Sequence, residues 1–264
     1  MRGHAEGACI PQLAVVPCDH RRISDKTPKV IEVECGMLGH SHALSGAAAG
    51  AGVAIATHLR PTEAVGLALL TAGAALLPDL DSCGSCSARS FGWLSRLPAL
   101  AIRGVSGGHR HATHSVIGVT ALYGLAVAAG TYRNDVAGKA GLGLLVALMV
   151  AGGLEALRIC REHVADTLGV VAGVAVAVSG FWLALVPAAV AAGCIAHLAG
   201  DMLTDSGVPL LFPWMQRFRL LPEPLAFRTG TRPELWVVDP LLTVALLGLG
   251  AAAAAPAVLH LIPL

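Results

Sequence analysis

From His42 onward the chain is a succession of long apolar runs separated by short polar breaks. Runs of this length predict membrane-crossing helices over about 43–59, 62–78, 115–131, 140–157 and 238–262. Between Thr167 and Gly200 the apolar run lasts 34 residues. At ~1.5 Å per residue, that is too long for one crossing of a ~30 Å hydrocarbon core. A break near Gly180 to Pro187 divides it into two helices and brings the expected total to seven. Residues 1–36 differ: they carry Arg2, Arg21, Arg22, Lys26 and Lys29, scattered prolines and no sustained apolar run. No apolar h-region follows those basic residues, so they do not read as a signal peptide. We expect a disordered or weakly ordered tail over 1–36, with a mis-assigned start before Met37 as the alternative, and a single transmembrane domain over 37–264.

Composition supports the same class. Charged residues make up 13% of the chain, about half of the roughly 25% usual in soluble domains. Mean hydropathy is +0.69. The expected fold is an all-α, multi-pass transmembrane bundle whose first partner is the lipid bilayer. Net charge is +1, which gives no indication of nucleic-acid binding. The seven cysteines are odd in number and show no framework spacing, so no disulfide scaffold is expected.

Helix parity gives the polar motifs an address. If His42 lies on one face, helices one and two deliver Asp79 and Asp81 back to it. Helices three to six return to it twice more, bringing His197 and Asp201. Loops on that face carry Arg89, Arg96, Arg103, Arg110, Arg158, Arg161, Arg217, Arg219, Arg228 and Arg232; the other face has Arg60, Arg133 and Lys139. The positive-inside rule makes the motif-bearing face cytoplasmic.

The motifs themselves are rich in metal-ligating groups. His109-Arg110-His111-Ala112-Thr113-His114-Ser115 places three imidazoles in six residues before an apolar helix, and imidazole is the commonest protein metal ligand. Pro78-Asp79-Leu80-Asp81 ends helix two with two carboxylates that can bind or bridge a divalent ion. His197 and Asp201 stand at i and i+4, on one helix face one turn apart. Asp201 there suits either a ligand or a group that orients an imidazole. His40 and His42 precede the first apolar run. Arg110 and Arg228 are candidates to hold an anionic group. Cys83 and Cys86 form a single Cys-x2-Cys pair, and a structural zinc site would want a second. Mixed nitrogen and oxygen donors suit zinc, manganese or iron.

Taken in order, His42 before a small-residue helix, Leu76-Leu77-Pro78-Asp79-Leu80-Asp81, Gly108-His109-Arg110-x-x-Thr113-His114-Ser115 and His197-x3-Asp201-Met-Leu-Thr204 resemble the YdjM-like family. Its members are described as membrane-bound, metal-dependent hydrolases of the LexA-regulated type. The resemblance implies His42, Asp79, Asp81, His109, His114, His197 and Asp201 as metal ligands. A weaker similarity, to zinc-dependent phospholipase C, implies a phosphoester or lipid-derived substrate and zinc as the ion. His40 and His111 are additional imidazoles, so more than one ligand choice is open at each motif. The expected chemistry is metal-assisted hydrolysis. Asp81 or His111 is the candidate catalytic base, and Arg110 and Arg228 would bind the substrate. The rival reading is a non-catalytic metal-binding or transport protein. The near-pure Ala, Gly, Val and Leu midplanes of the helices argue against a conduction path.

Overall fold

The computed structural model describes residues 28–82, 85–107, 110–228 and 230–259. It is all helical, apart from two isolated bridges, Thr204 to Phe227 and Val208 to Phe218. In chain order the helices are α1 (Pro28–Ala56), α2 (Pro61–Ala74), α3 (Cys86–Arg89), α4 (Trp93–Ser106) and α5 (Val116–Thr131). They continue with α6 (Val136–Ala156), α7 (Glu162–Ser179), α8 (Leu185–Met202) and α9 (Asp239–Leu259). Single tight turns lead in or out of three of them. Pro78–Asp81 and Ala112–His114 are 3-10 turns, and Glu234–Val238 is a π turn that runs into α9.

Local chemistry explains most of the boundaries. Pro61 opens α2 at a first-turn position, where its missing N–H costs nothing. The Ser115 hydroxyl accepts the Gly118 N–H and caps α5. Gly180 ends α7 in the left-handed region at φ +72°, the usual glycine stop. The long apolar run therefore breaks where its length required. One expectation is corrected. Helix one begins at Pro28 and not near residue 43, so it extends back into the segment read as a tail; residues 1–27 lie outside the described residues. All seven expected segments are helical, and five described helices are long and apolar enough to cross a membrane, so the count of seven crossings is not confirmed. Helix α5, with 16 residues, is shorter than that.

Helix α2 is the central strut, packed against α1, α6 and α8. Its Leu67 and Leu70, and Leu77 just beyond its end, are fully buried with Leu142, Val146 and Met149 of α6 and Val186 and Val190 of α8. Small residues allow this closeness. A Cβ on Gly193 of α8 would lie 2.6 Å from the Ala74 Cβ and 2.7 Å from the Thr71 carbonyl oxygen. The outer surface is apolar, as a bilayer requires: Val170, Val174 and Val178 on α7 and Leu241, Val244 and Leu247 on α9 all face outward. Helix α4 inverts the soluble pattern. It exposes Trp93, Leu94, Leu97 and Leu100 and buries Ser95, Ala99 and Ser106.

The polar motifs gather at one end of this bundle. There the His40 Nδ1 donates to the Ala156 carbonyl at 2.8 Å, joining α1 to the end of α6. The Ser41 hydroxyl donates to Glu234 at 2.5 Å, joining α1 to the start of α9.

Candidate metal centre

Three elements converge on one buried cluster. The 3-10 turn after α2 carries Asp79, the turn before α5 carries His114, and the last turns of α8 carry His197 and Asp201. His114, His197 and Asp201 are completely buried. The Nε2 atoms of His114 and His197 are 3.1 Å apart. From His114 Nε2, Asp79 Oδ1 is at 3.3 Å and Asp201 Oδ2 at 3.5 Å. From His197 Nε2 the same two oxygens lie at 3.8 and 3.6 Å.

The two imidazoles have their tautomers fixed from behind. Helix α2 stops at Ala74, so the Ala75 carbonyl is left for a side chain to satisfy. The His197 Nδ1 sits 2.6 Å from that oxygen. A carbonyl only accepts, so Nδ1 carries the proton. On the other side, the Thr113 hydroxyl lies 2.6 Å from Asp81 Oδ2 and 3.0 Å from His114 Nδ1. The carboxylate takes the hydroxyl proton, so His114 Nδ1 donates to the Thr113 oxygen. In their neutral forms both Nε2 atoms are therefore bare lone pairs, pointed at each other across 3.1 Å. Burial pushes the His114 imidazole below its usual range against the opposing pull of Asp79, which favours that neutral form.

Two lone pairs and two carboxylate oxygens facing inward need a cation between them: a metal ion or a bound proton. One further observation bears on which. Asp201 Oδ2 is buried and accepts no hydrogen bond, an uncommon state for a carboxylate oxygen. The donor separations also suit an ion. A small cation with bonds of ~2.0–2.2 Å in a tetrahedron sets its donors ~3.3–3.6 Å apart, close to the 3.1–3.8 Å found here. Asp79, His114 and His197 form one group able to hold a metal, and His42, His197 and Asp201 form a second.

The remaining expected site residues divide into near and far. The His42 ring stacks on His197 with centroids 3.9 Å apart, and its Nε2 is 3.5 Å from Asp201 Oδ1. Asp81 stands on the far side of His114, 3.8 Å from Nδ1, where its Oδ2 also accepts the Arg110 backbone N–H at 3.2 Å. The Arg110 guanidinium is turned inward, 3.1 Å from Asp201 Oδ1 and hydrogen-bonded to the Ser206 hydroxyl. His111 points its Nδ1 to the Gly107 carbonyl at 2.8 Å, away from this cluster. Arg228 is 82% exposed and paired with Asp205 at 3.1 Å. His109 and Cys83 lie outside the described residues.

Sequence reasoning missed Thr113 as the link between Asp81 and His114. It also missed Glu234, whose carboxylate is buried and accepts from Ser41 and from the Gly230 N–H.

A family profile described as YdjM inner membrane protein matches residues 37–261. No curated protein and no solved structure matches the chain. The weaker similarity to phospholipase C has no counterpart in these comparisons.

Proposed function

Because the chain belongs to the YdjM inner membrane protein family, we propose that it is a membrane-bound, metal-dependent hydrolase. Its substrate is a phosphoester or another lipid-derived ester, met at the cytoplasmic face. The observation that carries the metal reading is the pair of bare Nε2 atoms of His114 and His197 at 3.1 Å, both held by donors on their far sides.

His114, His197, Asp79 and Asp201 are the ligand set that this geometry favours, with His42 beside them. Two imidazoles and two carboxylates at near-tetrahedral separations suit zinc; manganese and iron accept the same donor types. When bound, the ion supplies Lewis acidity, which activates water near neutral pH and offsets charge on the scissile group. The protein's own residues prepare the place. Asp81 acts through Thr113 to hold the His114 ring, a positioning role that takes the place of the catalytic base expected of it. The Ala75 carbonyl does the same for His197. Arg110 neutralises the outer oxygen of Asp201 and fixes its orientation, so it anchors a ligand where direct substrate binding was expected. Arg228 is exposed and paired with Asp205, and His111 is bonded to the Gly107 carbonyl, so neither is given a part in the reaction. The arginine-rich loops on the motif-bearing side support a cytoplasmic orientation.

The test is hydrolysis of soluble phosphomonoesters and phosphodiesters by protein in nanodiscs. Chelation should abolish turnover and added zinc should restore it. Turnover indifferent to complete chelation overturns the reading.

A further inference from the structure

A cavity of ≈ 300 Å³ opens beside the cluster, between α1, α8 and α9. Its lining is chemically mixed. His42, Asp201 and Thr204 contribute polar groups, and Phe227, Val238 and Leu242 contribute apolar surface. The cavity adjoins the candidate metal centre, because His42 stacks on His197 and Asp201 points one oxygen at the two Nε2 atoms. Leu242 of α9 lines it from a helix whose outer face is bare, as a bilayer-facing surface would be. Glu234 fixes this wall: it accepts hydrogen bonds from Ser41 of α1 and the Gly230 N–H, so the start of α9 is pinned over the cavity.

We propose that this cavity takes the apolar chain of a single-chain lipid phosphoester, whose headgroup then meets the cluster past His42. A soluble phosphoester has no use for apolar lining beside a membrane-facing helix. A lipid does, because chain burial orients the ester before chemistry, and the volume is at the lower end of small-molecule pockets. The inference rests on the hydrolase reading for the headgroup's fate but not for the chain's place.

The experiment measures binding of radiolabelled dodecyl phosphate and butyl phosphate to metal-loaded protein in nanodiscs, with empty nanodiscs subtracted. Wild type should bind dodecyl phosphate at least tenfold more tightly. Leu242→Trp fills the cavity from the α9 side and should reduce dodecyl phosphate to the butyl phosphate level, with metal content and butyl phosphate binding unchanged. Val238→Phe is the second filling variant, should the first not fold. Leu241→Trp, on the outward face of the same helix, should behave as wild type. Equal binding of the two chain lengths by wild type, or an undiminished preference in both filling variants, overturns the proposal. Dodecanoate binding as tightly as dodecyl phosphate overturns its phosphoester part. Chain-length preference without any hydrolysis would leave the cavity assignment standing and remove the enzyme.

Discussion

His197 Nδ1 donates to the Ala75 carbonyl across 2.6 Å, and that bond ties the functional end of α8 to the point where α2 stops. It satisfies a helix-terminal carbonyl, fixes the imidazole tautomer and sets the direction of Nε2. Three consequences of one contact explain why the cluster sits where two helices end and not in midspan.

The bond depends on how closely α8 approaches α2, and Gly193 sets that approach one turn before His197. Gly193→Ala places a methyl group against the Ala74 side chain and the Thr71 carbonyl. We expect it to lower stability by about 1–3 kcal/mol, as overpacking does, and to weaken metal retention. Gly52→Ala, which meets nothing within 4 Å, should do neither. Thermal unfolding in detergent with parallel metal analysis checks both.

Thr113 should matter as much as a ligand while touching no ion. Thr113→Val keeps the shape but removes the hydroxyl that joins Asp81 to His114. Losing such a supporting partner typically costs 10–100-fold in metal affinity. Thr113→Ser should restore most of it. Competition with a chelator of known affinity measures the difference, and an unaffected Thr113→Val would remove the positioning role assigned to Asp81.

Arg110 and Arg228 should separate cleanly. Arg110 is only 17% exposed and pairs with fully buried Asp201. Removing one partner of a buried pair costs about 3–5 kcal/mol, so Arg110→Gln should lower the unfolding temperature by several degrees. Arg228→Gln removes an exposed pair and should be nearly silent.

Acid should weaken the metal-free protein partly through His114. Its imidazole is held below the ordinary value of 6.5, with burial as the largest cause. A histidine depressed in the folded state binds fewer protons there than when unfolded. Its contribution is complete above pH 6.5 and is lost as pH falls through the folded value. Chelator-treated wild type should therefore lose stability below that pH, and His114→Gln should lose less over the same interval.

Much of this arrangement was legible in the residues. The length of the 167–200 run demanded a break, and Gly180 provides it at a positive φ. The i, i+4 spacing of His197 and Asp201 placed both on one face, and they do share the cluster. The spacing of Asp79 and Asp81 was less informative, because it does not reveal the backbone between them. Pro78–Asp81 is a 3-10 turn, in which residues two apart point ~240° apart. Asp79 therefore faces the Nε2 side of His114 and Asp81 the Nδ1 side. For the same reason the choice of ligand among the imidazoles of the 109–114 stretch stayed open, with His109 and His114 expected as ligands and His111 as a candidate base. The turn sends His114 inward and His111 back to Gly107. The length of α1 was hidden because the prolines and charges before Met37 resemble a linker.

The most direct measurement is the metal content of purified wild type and of His114→Ala/His197→Ala, by elemental mass spectrometry after chelator-free preparation from metal-supplemented cells. The metal-centre account expects close to one divalent ion per chain in the wild type and its loss from a folded double variant. A folded wild type free of metal would mean that the two Nε2 atoms share only a proton, and the metal centre would be contradicted.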